Sequence, residues 1–140
     1  MSTANFHASA VAFGPTRGVL ILGSSGSGKS RLALALIGEG AQLVADDQVF
    51  LAADADALFA RAPRPTAGLI EARGFGILRM VHRRLARIRL VIDLDAVAAR
   101  LPEPQVRCLA GVTIPCLSGV PDGMFARALA RYLSTPVLAE

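Results

Sequence analysis

Apolar residues fall along this chain in short blocks separated by turn chemistry. Ala8 to Phe13 is short and apolar, Gly14-Pro15-Thr16-Arg17-Gly18 has the composition of a turn, and Gly18 to Leu22 is a second apolar run. This pattern predicts a β-hairpin at the start of the chain. From Lys29 to Ile37 the residues Leu32, Leu34, Ala35 and Leu36 make a strongly apolar helix that Gly38 and Gly40 terminate. Ala41 to Ala45 is a buried type of strand that runs into Asp46-Asp47. Gln48 to Ala52 resumes the extended pattern before an Asp/Ala-rich turn at residues 53 to 57, so a meander follows the first helix.

Pro63 and Pro65 mark a loop ahead of Gly68 to Leu78, and a basic stretch from Arg79 to Arg89 leads into Leu90-Val91-Ile92-Asp93-Leu94-Asp95, a core strand by composition. Pro102 to Pro104 break the chain, Gly111 to Leu117 reads as a final strand, and Pro121 to Leu133 has helical spacing with Pro121 near its start. Strands interleaved with helices predict an α/β fold. At 140 residues, 53% of them hydrophobic, the chain suits one domain spanning 1–140 with a single site.

Charge changes this picture little, with one exception. The formal net charge is +4, but the basic residues are spread without a run of five, so no nucleic-acid surface is expected. Of fifteen basic residues, Lys29 is the only lysine. A bias toward arginine elsewhere spares this position, where a slim ammonium fits between phosphates and a planar guanidinium does not. Cys108 and Cys116 are too few for a disulfide framework and lack zinc spacing, and they read as buried or idle thiols. Met1 to His7 has no leader pattern and no run reaches the length of a membrane span, so the expected location is the cytoplasm.

The chemistry concentrates in Gly23-Ser24-Ser25-Gly26-Ser27-Gly28-Lys29-Ser30, which fits G-x-x-x-x-G-K-[ST], follows an apolar strand and opens a helix. Small residues let backbone N–H groups approach phosphates at the helix N-terminus. Lys29 would reach the terminal phosphates and the Ser30 hydroxyl would ligate magnesium. Asp46 and Asp47 close the strand after that helix, and in a parallel βαβ unit they would lie at the edge where the phosphates sit. Leu90 to Asp95 has an equal claim by pattern, as an apolar strand ending in an acid that holds magnesium. His7, Glu71 and Arg73 have either a functional or an inert reading from the residues alone.

Several stretches together resemble the HPr kinase/phosphorylase family, bacterial enzymes that phosphorylate a serine of the phosphocarrier protein HPr. They are His7 ahead of the first strands, the glycine loop, Leu43-Val44-Ala45-Asp46-Asp47, and Gly68-Leu69-Ile70-Glu71-Ala72-Arg73-Gly74-Phe75-Gly76-Ile77. The resemblance covers the family's catalytic domain only, as in its short forms. It implies a P-loop nucleotide-binding fold of the type shared with phosphoenolpyruvate carboxykinases, with ATP and Mg²⁺. It also implies that Asp47 takes the proton of the target serine, Asp46 assists, Lys29 and Ser30 handle phosphate and magnesium, Glu71 is a second magnesium ligand and His7 belongs to the catalytic site. Arg100-Leu101 matches an Arg-Leu pair whose arginine is catalytic, and Asp93 and Asp95 then become structural. An HPr-like phosphocarrier partner and a homo-oligomer, commonly a hexamer, are implied as well.

Two departures bear on activity. Arg31 stands where long members of the family have a glutamate directly after the loop serine. The family's Arg-Pro-Gly-Arg loop, associated with removing phosphate from HPr, is absent after Pro115, where Cys116-Leu117-Ser118-Gly119 stands, so phosphorylase activity is not expected. The alternatives are a P-loop small-molecule kinase and a nucleotide-binding regulatory module without catalysis.

Overall fold

A computed structural model describes residues 3–96 and 105–134. Two strands, β1 (Thr3–Phe6) and β2 (Ser9–Ala12), precede β3 (Gly18–Leu22) and helix α1 (Lys29–Gly38). A meander of β4 (Gln42–Ala45), β5 (Val49–Asp54) and β6 (Ala57–Arg61) follows, then a 3-10 turn at Arg64–Thr66. The remainder comprises β7 (Leu69–Ala72), β8 (Gly76–Arg79), β9 (Ala86–Asp93), β10 (Gln105–Leu109), β11 (Val112–Ser118) and helix α2 (Gly123–Ser134). The expected hairpin, first helix, meander, core strand and last helix are all present. Strand β10 and the separate β7–β8 hairpin are additions that the sequence pattern did not resolve.

The main sheet runs in the order β1-β5-β6-β9-β3-β2-β4, with β11 beside the C-terminal part of β9 and β10 on the outside of β11. Strand β9 is central: its start pairs antiparallel with β6, and its end pairs parallel with β3 on one side and β11 on the other. One expectation is corrected here. Strands β3 and β4 are joined through α1, but they are not neighbours, because β2 lies between them antiparallel to both. Parallel direction survives that insertion, so the ends of β3 and β4 still reach the same edge of the sheet.

Both faces of the sheet are buried, which is why β3 reads as an unbroken apolar run. Val19, Ile21, Leu90 and Ile92 pack toward Leu32 and Leu36 of α1 and Leu129 and Leu133 of α2. Leu20, Val91, Leu51, Leu58 and Ile114 form the second core on the other face. Leu32 and Leu36 are fully buried, each stabilising the fold by about 1.5–3 kcal/mol. Ile88 and Leu90 face opposite cores although two residues apart, because the β3–β9 register shifts between Gly18 and Val19. Gly18 permits this bulge: a Cβ there would lie 2.6 Å from the Arg87 carbonyl oxygen.

Candidate active site at the end of the sheet

The loop from Gly23 to Ser30 joins the end of β3 to the first turn of α1. Gly26 and Gly28 have φ of 84° and 102°, values that side chains strain to adopt, and Gly28 caps the helix. Gly28 has a second constraint, since a Cβ would fall 2.6 Å from Cγ of Pro121 in the lead-in to α2. No side chain caps α1 and no acid stands in its first turn, so its amide groups are open to an anion. Lys29 is buried, and its Nζ donates to the carbonyls of Gly23 at 2.9 Å and Ser24 at 3.2 Å. The Ser27 hydroxyl oxygen is buried inside the loop without a hydrogen-bond partner.

Beside the loop, the end of β4 separates two adjacent carboxylates into different environments. Asp46 is 7% exposed, and its Oδ1 accepts from the hydroxyls of Ser30 at 2.7 Å and Ser9 at 2.8 Å. Its Oδ2 accepts from the Glu71 amide at 3.1 Å. Asp47 adopts φ 69° and is thrown outward, where it meets Nε2 of His7 at 2.7 Å. An ionised carboxylate only accepts, so the His7 ring N–H is the donor. The Asp47 amide donates to Ser9 Oγ at 3.3 Å, so Ser9 ties both aspartates to β2.

A cavity of about 450 Å³ opens over these groups. His7, Lys29, Ser30, Asp47 and Glu71 line it, together with Arg31 and Arg73. The structure therefore brings together the glycine loop, both aspartates, His7 and Glu71. Arg100 lies outside the described residues. Ser9, missed by sequence reasoning, carried no motif: it is a small residue between alanines whose partner is 37 positions away. Arg31 brings a positive charge into the cavity, so the departure noted in the sequence falls at the site itself.

The competing strand end is engaged elsewhere. Asp93 pairs with Arg107, and Asp95 accepts from the Ser24 amide at 2.7 Å and its hydroxyl at 3.0 Å. Asp95 thus holds the first part of the glycine loop, a contact its structural reading did not specify. Ser30 is joined to Asp46 and not to this strand, which gives the end of β4 the better claim to an ion at the loop. Among the described residues no cluster of three or more His, Cys, Asp and Glu is assembled to cage a metal. The Ser30 hydroxyl and Asp46 carboxylate are instead hard oxygen donors of the kind Mg²⁺ takes singly while keeping water and substrate phosphates. The donor set fits that ion.

Comparison with known proteins matches this chain to a family. The profile of the HPr Serine kinase C-terminal domain matches residues 2–102. The chain belongs to this family. Two relatives, both named HPr kinase/phosphorylase, illustrate the likeness. That of Geobacillus kaustophilus is 45% identical over 86 residues, which are 56% of this chain and 28% of the relative. That of Aromatoleum aromaticum is 45% identical over 93 residues, which are 61% of this chain and 29% of the relative. The chain therefore spans less than a third of the length of these HPr kinase/phosphorylases. Among solved structures, the Hpr(Ser) kinase/phosphatase from Coxiella burnetii superimposes with a TM-score of 0.76 at 26% identity, covering 92% of this chain and 95% of that one. The mixed α/β fold, with two helices among the described residues, is thus similar to an HPr kinase structure. No helix among the described residues is long and apolar enough to cross a membrane.

Cys116 is buried, and burial is the main cause that pushes its thiol up from the ordinary range. Cys108 is exposed, and both thiols are free. The stretch from Pro115 to Ser118, which lacks the Arg-Pro-Gly-Arg sequence, is part of strand β11.

Proposed function

We propose that the chain is the P-loop catalytic domain of an ATP- and Mg²⁺-dependent kinase that phosphorylates a serine of an HPr-like phosphocarrier protein. The observation that carries this reading is the split pair at the end of β4. Asp46 is bound to the loop serine Ser30, while Asp47 faces the cavity beside His7. A hydroxyl–carboxylate contact between loop serine and strand-end acid is how P-loop enzymes position magnesium. A second carboxylate, free of that duty and open to the cavity, is what a serine acceptor requires of a base.

In this reading the serine Oγ attacks the γ-phosphorus of ATP, the bond to the β,γ-bridging oxygen breaks, and ADP leaves. Asp47 accepts the serine proton, and His7 holds the Asp47 carboxylate in place. Lys29, released from the Gly23 and Ser24 carbonyls, and the uncapped amides of α1 bind the phosphate oxygens. Ser27 has an unused hydroxyl for the same task. Ser30 and Asp46 would hold the Mg²⁺, with Glu71 as a second ligand, and the ion supplies positive charge to the transferring group. Arg100 serves as a catalytic arginine by resemblance. The working assembly is a homo-oligomer, hexameric by the same resemblance, and phosphorylase activity is not expected.

The test incubates purified protein with Mg²⁺, labelled ATP and HPr-like carriers. Label on the carrier supports the reading. ATP binding without transfer to any carrier would indicate a regulatory nucleotide-binding module, and turnover driven by a small metabolite would indicate a small-molecule kinase.

A further inference from the structure

A second cavity, of about 580 Å³, shares no lining residue with the first and lies on the flank of β4. Arg61, Arg64, Arg83, Arg84 and His82 line it, and no carboxylate does. Its apolar lining includes the buried Val44 of β4 and Ala67 after the 3-10 turn. The backbone around it is fixed: the Arg83 amide donates to the Leu43 carbonyl at 2.8 Å, and His82 bridges to Leu43. The volume falls inside the range of about 300–1,000 Å³ typical of small-molecule sites.

The charge in this cavity has no counter-charge among the described residues. Among the described residues the ion pairs are His7 with Asp47 and Arg107 with Asp93, so none of the four guanidiniums meets a carboxylate. The Arg83 Nε–H is buried and has no hydrogen-bond partner among the described residues. An unsatisfied buried donor is destabilising, and more so when it carries charge. Arg61 lies over the Phe50 ring at 4.7 Å, a cation–π contact. Four arginines lining one cavity with no carboxylate beside them carry like charge there, and an oxyanion bound among them would offset that charge and accept from the free donors. Their planar forks suit phosphate and carboxylate oxygens, which accept two parallel hydrogen bonds from one arginine.

The geometry points to this cavity as a binding site for a small oxyanion, a molecule presenting a phosphate group or paired carboxylates to Arg61, Arg64, Arg83 and Arg84. It is separate from the phosphate cradle of the glycine loop, and the assignment does not depend on the proposed reaction.

Calorimetric titration of the full chain with inorganic phosphate and with citrate, at about 150 mM salt to suppress diffuse attraction, tests it. The two arms separate a phosphate-bearing ligand from a carboxylate-bearing one. At least one of the anions binds, and the variants Arg83→Gln and Arg64→Gln each weaken it about tenfold or more, while Lys29→Ala leaves it unchanged. Arg64 is exposed on the 3-10 turn, so its variant stays informative if the Arg83 variant folds poorly. Binding lost in Lys29→Ala and retained in the arginine variants would place the anion in the glycine loop and overturn the assignment. The absence of binding of either anion up to on the order of 10 mM would overturn it as well.

Discussion

Neighbouring aspartates subjected to one substitution provide a sharp internal comparison. In Asp46→Asn, the side-chain amide keeps an oxygen for Ser9 and Ser30 but turns an N–H₂ toward the Glu71 amide, where Asp46 Oδ2 now accepts at 3.1 Å. Two donors then face each other in a site 7% exposed, leaving a buried N–H unsatisfied at about 1–3 kcal/mol. The two hydroxyl bonds also lose their ionic acceptor, and charge-assisted bonds are roughly twice as strong as neutral ones. Together these predict a loss of about 3 kcal/mol, a fall in melting temperature on the order of 10 °C for a domain of this size. Asp47→Asn removes only an exposed contact to His7 and is predicted to change stability by less than about 0.5 kcal/mol. Urea unfolding with the slope held in common measures both. Equal effects of the two substitutions, or an Asp46→Asn loss below about 0.5 kcal/mol, would refute the division of labour drawn from the hydrogen bonds.

Three further outcomes follow from the same geometry. Asp47→Asn lowers phosphoryl transfer by about 10²–10⁴-fold with ATP affinity nearly unchanged, measured by carrier labelling and nucleotide titration; unchanged transfer would remove Asp47 from the role of base. Lys29→Ala weakens ATP binding and transfer together, since its charge meets phosphate before and during the reaction, and intact activity would contradict the loop assignment. Gly28→Ala places a Cβ 2.6 Å from Pro121 Cγ at a φ of 102°, and is predicted to cost on the order of 1–3 kcal/mol in chemical unfolding; a neutral result would mean that the loop and the α2 lead-in are free to separate.

Local chemistry made much of this protein legible in its sequence. The glycine loop, the α1 stop at Gly38 and Gly40, and the apolar strands ending at Leu22 and Ala45 depend on short-range pattern, and each stands where pattern put it, whereas the core strand expected over Leu90 to Asp95 runs from Ala86 to Asp93. Much of what escaped depends on pairing between distant segments. Nothing near Ala10 says that β2 will sit between β3 and β4, because alternation specifies a face and not a neighbour. Strand β10 carries Arg107 among its apolar residues and pairs through β11 alone, so its pattern was too weak to mark beside Pro104. Asp95 and Ser24 are 71 positions apart, and their contact exists only because β9 lies beside β3 in parallel. The choice between the two acidic strand ends was open in the residues for the same reason. The Ser30–Asp46 hydrogen bond distinguishes them, and that bond is a product of tertiary structure.

The central claim is serine phosphorylation of a carrier, and it is tested most directly by mass spectrometry of an HPr-like protein after incubation with this chain, ATP and Mg²⁺. The account predicts one added phosphate on a single serine, absent from the Ser→Ala carrier and formed at least about 100-fold more slowly with the Asp47→Asn variant. An unmodified carrier, phosphate that persists on the Ser→Ala carrier, or an undiminished rate with Asp47→Asn, would contradict it.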